Sequence, residues 1–182
     1  MIKHLSLLAA IVGLAFFSAS LRAEDRPKTS DNGTLNSHDA GFLNAISHGD
    51  LAEVKLGELA EDRASSPDVK KLAQTLIKDH RSTQKDLKAL AANKNLSLAT
   101  DLDDKQQATY DRLSKLNGAD FDKAFVQYNI KDHESDVDLA KDFAAHAQDP
   151  DVKAFANQVV PILEKHLRMA KETNDRLSGS NR

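Results

Sequence analysis

The feature that most constrains this chain is that part of it is written twice. Glu53 to Lys70, EVKLGELAEDRASSPDVK, returns eighty-three residues later as Asp136 to Lys153, DVDLAKDFAAHAQDPDVK. Aligned without a gap, Glu53-Val54-x-Leu56 falls on Asp136-Val137-x-Leu139, and Pro67-Asp68-Val69-Lys70 on Pro150-Asp151-Val152-Lys153. Each copy reads as the end of one helix, a turn and the start of another. A helical hairpin carries an apolar stripe that it cannot bury alone. Two of them packed on each other make an all-α four-helix bundle, which is the fold expected here.

Apolar periodicity gives the helices their bounds. Phe42, Ala45, Ile46, Gly49, Ala52, Leu56, Leu59 and Ala60 recur at the three-four spacing of one face and predict a first helix over 39–64. Ser65-Ser66-Pro67 supplies a turn, an N-cap serine and a proline at the first helical position. The second helix follows through Val69, Leu72, Ala73, Leu76, Leu87, Leu90 and Ala91 and ends near Asn93. The connection over 93–118 is long, with a short amphipathic piece at about 102–116. It is long enough to run back along the bundle, so that the third helix starts beside the start of the second, the ferritin-like arrangement. The third helix is expected over about 119–147. The fourth begins at Asp149-Pro150 and contains Pro161, which should bend it. The bundle thus spans 39–177, with a disordered tail over 178–182.

Met1 to Ala23 has the parts of a secretory signal: Lys3, an apolar run from Leu5 to Phe17, and small residues before a cut after Ala23. Residues 24–38 are polar, carry Pro27 and Gly33, and read as a disordered leader. No later run approaches the length of a membrane span, so an exported, periplasmic chain with no integral membrane segment after signal removal is expected. The chain has no cysteine, which excludes disulfides, thiolate nucleophiles and Cys-ligated metal sites. Its 28 acidic and 25 basic side chains give a net charge of −3 and no electrostatic reason to bind nucleic acid. An envelope protein partner or a homo-oligomer stays open.

Several polar residues interrupt the apolar stripes. Glu53 lies between Ala52 and Leu56, and His80 continues the row Val69, Leu72, Leu76. His133 and Asp136 are three apart and share a face. His166 follows Val159 and Leu163. Counted from their own hairpin turns these five lie at comparable depth, so at 1.5 Å per residue they can meet near mid-bundle. Imidazole with carboxylate is a usual ligand set for iron, zinc, copper or manganese, and the candidate metal ligands are Glu53, His80, His133, Asp136 and His166, holding one divalent transition metal ion. Neutral imidazoles bind metal, so affinity is expected to fall as pH drops through about 6.5. His38, His48 and His146 read as exposed or terminal. A histidine on an apolar face is more often a hydrogen-bonded core residue than a ligand. A metal-free structural or stress-related envelope protein, or a partner-binding helical module, therefore stands beside the metal reading.

The runs FLNAISHGDLAEVKLGELA, PDVKKLAQTLIKDH, GADFDKAFVQYNIKDHESDV and PILEKHLRMA resemble a family of exported bacterial ferritin-like proteins of unknown function, often labelled as outer-membrane proteins. The resemblance covers about residues 40–177. Its pattern of an Asp-His on the second helix, Gly-x-x-Phe-Asp opening the third, and a His on the third and fourth falls on Asp79-His80, Gly118 to Asp122, His133 and His166. Where that pattern usually has tyrosine after Phe-Asp-x-Ala, this chain has Phe125. The resemblance implies a ferritin-like bundle in the cell envelope and brings no activity. Di-iron members of the ferritin-like class use Glu-x-x-His on two helices, whereas the residues three before His80 and His166 are Ile77 and Leu163. A standard di-iron ferroxidase is therefore not expected. No hydrolase triad or phosphate loop occurs either, so an enzyme assignment would rest on the metal alone.

Overall fold

Both hairpins form where the repeat places them. The computed structural model describes residues 34–179, and all regular structure there is helical. The helices are α1 (Ser37–Arg63), α2 (Pro67–Asn93), α3 (Asp104–Leu113), α4 (Gly118–His146) and α5 (Pro150–Gly179). The predicted signal, residues 24–33 of the leader and the last three residues of the tail lie outside the described residues. α1 takes in the leader's Ser37 and His38 and α5 the tail's Ser178 and Gly179, which corrects those two bounds. α5 runs unbroken through Pro161, whose side chain is exposed. No helix among the described residues is long and apolar enough to cross a membrane.

The two turns are tied down by acids from the opposite hairpin. Asp39, near the start of α1, accepts hydrogen bonds from the backbone N–H groups of Gln148 and Asp149 in the α4–α5 turn. Asp122, near the start of α4, accepts from the N–H groups of Ser65 and Ser66 and from the Ser65 hydroxyl in the α1–α2 turn. Asp39 and Asp122 occupy equivalent places in the eighty-three-residue repeat. This corrects one expectation. Ser66 stands at the N-cap of α2 but its side chain makes no capping bond, and what is held there instead is the turn before the helix, whose Ser65 and Ser66 N–H groups go to Asp122. In the second copy Asp149 does cap α5, accepting from the N–H groups of Asp151 and Val152.

These ties set the directions of the helices. The turns sit at opposite ends, α1 runs antiparallel to both α2 and α4, and α5 likewise neighbours α4 and α2. The connection after α2 must therefore cross the full length of the molecule before α4 begins. Its start is pinned where the buried Lys94 ammonium meets Asp149 and Asp151 at 2.7 and 2.8 Å. Leu96 and Leu98 pack at that end, and Leu113 of α3 is buried at the other.

The interior is divided in two. One apolar cluster gathers Phe42, Leu43, Ile46, Leu87, Val137, Phe143 and Phe155. The other gathers Leu56, Leu72, Leu76, Phe121, Phe125 and Val126. Phe42 and Leu43 of the first correspond in the repeat to Phe125 and Val126 of the second. Between the clusters every long helix passes through a polar layer: Asp50 and Glu53 on α1, His80 on α2, Asn129 and His133 on α4, His166 on α5, all buried. Burying so many polar groups is costly unless each has a partner, so the layer is the part of the molecule whose chemistry needs explaining.

A candidate metal centre

Three imidazoles meet in this layer. One nitrogen from each of His80, His133 and His166 lies within 4.8 Å of the others. The ring centroids stand 5.0 to 5.6 Å apart. Each ring's other nitrogen is held by an acceptor from its own surroundings. His133 Nδ1 meets the Asn129 carbonyl oxygen at 3.0 Å, one turn back on α4. His166 Nε2 meets Asp79 Oδ2 at 3.1 Å, and His80 Nδ1 meets Asp50 Oδ1 at 2.8 Å.

These contacts assign the protons. The Asn129 carbonyl and the Asp79 carboxylate can only accept, so the His133 and His166 nitrogens facing them are the N–H. Burial raises the pKa of Asp50 while His80 lowers it, and the ionised Asp50 likewise takes the His80 Nδ1–H, leaving the lone pair on each opposite nitrogen. The free lone pairs are thus on His80 Nε2, His133 Nε2 and His166 Nδ1. His80 Nε2 is buried and has no hydrogen-bond partner. The other two face each other at 3.2 Å as two acceptors. No extra proton bridges them at neutral pH. Burial, and then the neighbouring His80 and His166, pull the His133 pKa down to about 3, and burial followed by His80 pulls His166 down to about 4. Asp79 keeps its charge despite partial burial, because hydrogen bonds from Lys165 and His166 hold its pKa below the usual carboxylate value. Metal-binding histidines are commonly oriented this way, by a carboxylate or carbonyl on the far nitrogen.

The two predicted carboxylates sit beside the imidazoles, in different places. Glu53 converges with Asp132 and His133 within 4.8 Å, a second set that shares only His133 with the first. It is fully buried and no nitrogen or hydroxyl donor reaches either oxygen. Burial, then the charges of Asp132 and Asp136, a hydrogen bond with Asp132 and the charge of Asp50, push its pKa well above the ordinary value. Asp136 belongs to neither set. It lines a cavity of about 10 Å³ together with Asp50, His80, Gly49 and Thr83, room for one water-sized occupant. Burial and Asp132 raise the Asp136 pKa to about 7. Tyr128 is likewise pushed up, by burial and then by Glu53, Asp132 and Asp136.

Sequence reasoning missed Asp50, Asp132 and the Asn129 carbonyl. Asp50 had a signal, since the repeat places it opposite His133. Asp132 stands next to His133 in the chain, but helical phase turns it toward Glu53 instead of the other imidazoles. Of the histidines set aside, His38 and His146 are exposed, with side chains 60 and 71% accessible. His48 is half-buried and its Nδ1 is enclosed without a partner, which corrects the expectation that it is exposed.

Fold and site together define an all-helical protein with a buried histidine group able to hold a metal ion. Residues 24–173 match the family described as a domain of unknown function, DUF4142, and the chain belongs to that family. No curated protein matches the sequence. Two solved structures share the fold. One is a DUF305 fragment from Deinococcus radiodurans, 16% identical, covering 79% of this chain and 99% of that one, with a TM-score of 0.70. The other, described as a "putative secreted protein DUF305" from Streptomyces coelicolor, is 18% identical, covers 78% of this chain and 94% of that one, and has a TM-score of 0.66.

Proposed function

We propose that this chain is an exported ferritin-like four-helix bundle whose role is to hold one divalent transition metal ion on His80, His133 and His166. The observation that carries the reading is the approach of His133 Nε2 to His166 Nδ1 at 3.2 Å, with neither nitrogen holding a proton. Two lone pairs in contact repel, and a cation between them removes the conflict. Around a tetrahedral ion with metal–nitrogen bonds of about 2.0–2.1 Å, ligand nitrogens stand roughly 3.3 Å apart. Three neutral imidazoles with carboxylates nearby suit zinc, copper, iron or manganese. The ferritin-like reading is supported by the ring of antiparallel neighbours and the connection that crosses the molecule's length. Export is supported by the signal-like segment at residues 1–23 and by the description of the Streptomyces coelicolor neighbour.

Equilibrium dialysis of chelator-stripped full chain against Zn²⁺ or Cu²⁺ tests the reading. About one ion per chain is expected at the imidazoles. His80→Ala, His133→Ala and His166→Ala should each weaken binding at least tenfold, while His38→Ala and His146→Ala leave it unchanged. Absence of stoichiometric binding would leave a polar core satisfied without metal, and the histidine variants would then alter stability alone.

A further inference from the structure

The imidazole set leaves the acids beside it unexplained. Glu53 is fully buried, no nitrogen or hydroxyl donor reaches its oxygens, and the polar groups converging on it are His133 and the Asp132 carboxyl, itself an acid close enough to share a proton with it. Asp136 and Asp50 lie close enough to add their own charge to the same region. Two carboxyl groups thus converge and two more bring like charge from the wall of the neighbouring cavity. Facing them are His80, whose Nδ1 is taken by Asp50, the Tyr128 hydroxyl at Asp132, and the distant charge of Lys105. Charge of one sign gathered in a poorly solvated core is held only by protons or by cations.

We propose that Glu53 and Asp132 hold a second divalent cation, a hard one that prefers oxygen ligands, adjoining the ion on the three imidazoles. The geometry separates the two sites. His133 has one free nitrogen, and it already faces His166 at 3.2 Å. The acids converge with His133 but do not form one set with His80 and His166. Carboxylate oxygens favour manganese, magnesium or calcium, whereas the neighbouring nitrogens favour zinc or copper. The inference rests on the imidazole reading only in treating His133 as already engaged, and the two can fail separately.

The test uses Mn²⁺ as the probe, added to full chain already loaded with one equivalent of Zn²⁺ and followed by its paramagnetic resonance signal. About one Mn²⁺ per chain should bind while the zinc stays in place. Glu53→Gln and Asp132→Asn should each weaken Mn²⁺ binding at least tenfold and retain zinc. Both are near-isosteric, and circular dichroism checks that they fold. In the zinc-free protein His166→Ala should lose the zinc site and keep Mn²⁺. If the zinc-loaded chain takes up no Mn²⁺, or takes it up equally well in Glu53→Gln, the second site is wrong and a proton alone serves the acids. If zinc never binds but Mn²⁺ does so in a Glu53-dependent way, the imidazole reading fails and this one stands.

Discussion

A neutral imidazole has one lone pair to offer, and what its other nitrogen touches decides where that lone pair points. The Asp50–His80 contact is therefore the residue-scale lever on the site. Asp50→Asn should lower zinc affinity by about 10–100-fold with all three histidines present, as second-layer partners of metal histidines usually do, and isothermal titration would read it. Titration adds a second consequence, at Glu53. Its folded pKa lies well above the unfolded value, so the folded state binds more protons between the two, and Glu53 costs increasing stability as pH rises through that window. In chelator, Glu53→Gln should be more stable than the parent at pH 8, with the gap closing as pH falls toward 4.5. Denaturant melts at several pH values would show it, and a gap that widens in acid would contradict it. His133 and His166 behave oppositely: they stay neutral down to about pH 3 and 4, while in the unfolded chain they charge near 6.5, so they cost stability in acid. The expected loss of metal affinity at about pH 6.5 accordingly moves lower for these two ligands. That the three histidines face inward is legible from their place in the apolar rows. Their tautomers are not, because the deciding partners come from other helices or from the backbone.

At the scale of elements, the repeat makes the two hairpins legible and also hides one of their joints. Asp39-x-x-Phe42 and Asp122-x-x-Phe125 are the same four-residue pattern in the two halves, yet an acid that ties the turn of the other hairpin leaves no local signature. Ser66 is the N-cap of α2 by position but bonds no first-turn N–H, and the turn ahead of it is held by Asp122 from α4. Asp122→Ala should strip the Ser65 and Ser66 N–H groups and the Ser65 hydroxyl of the acceptor that ties this turn to α4 and destabilise the fold by about 1–3 kcal/mol. Ser66→Ala should cost little, since its hydroxyl makes no cap. Thermal melts of the two variants compare them directly, and a larger loss in Ser66→Ala would contradict the assignment. The packing of α1 on α2 was equally illegible. A Cβ at Gly57 would stand 2.6 Å from Ile77 Cγ1, so this glycine permits the close approach of the two helices.

For the whole molecule, the four long helices and their crossing connection follow from apolar spacing and loop length, and both were readable. The split of the interior into two apolar clusters around a polar layer follows from the same spacing, read along all four helices at once. Because each cluster draws on all four long helices, the second with Leu113 of α3 as well, burial on both sides should keep the protein folded without metal. Circular dichroism of chelator-treated protein should show a highly helical spectrum, and a random-coil spectrum would mean that the ion is structural. What single-chain patterning could not specify is which inward polar groups converge, since that depends on helix rotations of a few tens of degrees set by packing. The central claim is that the convergence of His80, His133 and His166 is a metal site. An anomalous difference map at the zinc edge, from crystals of the full chain soaked in Zn²⁺, should put its strongest peak within bonding distance of His80 Nε2, His133 Nε2 and His166 Nδ1. A strongest peak at exposed His38 or His146, with none among the buried imidazoles, would contradict it.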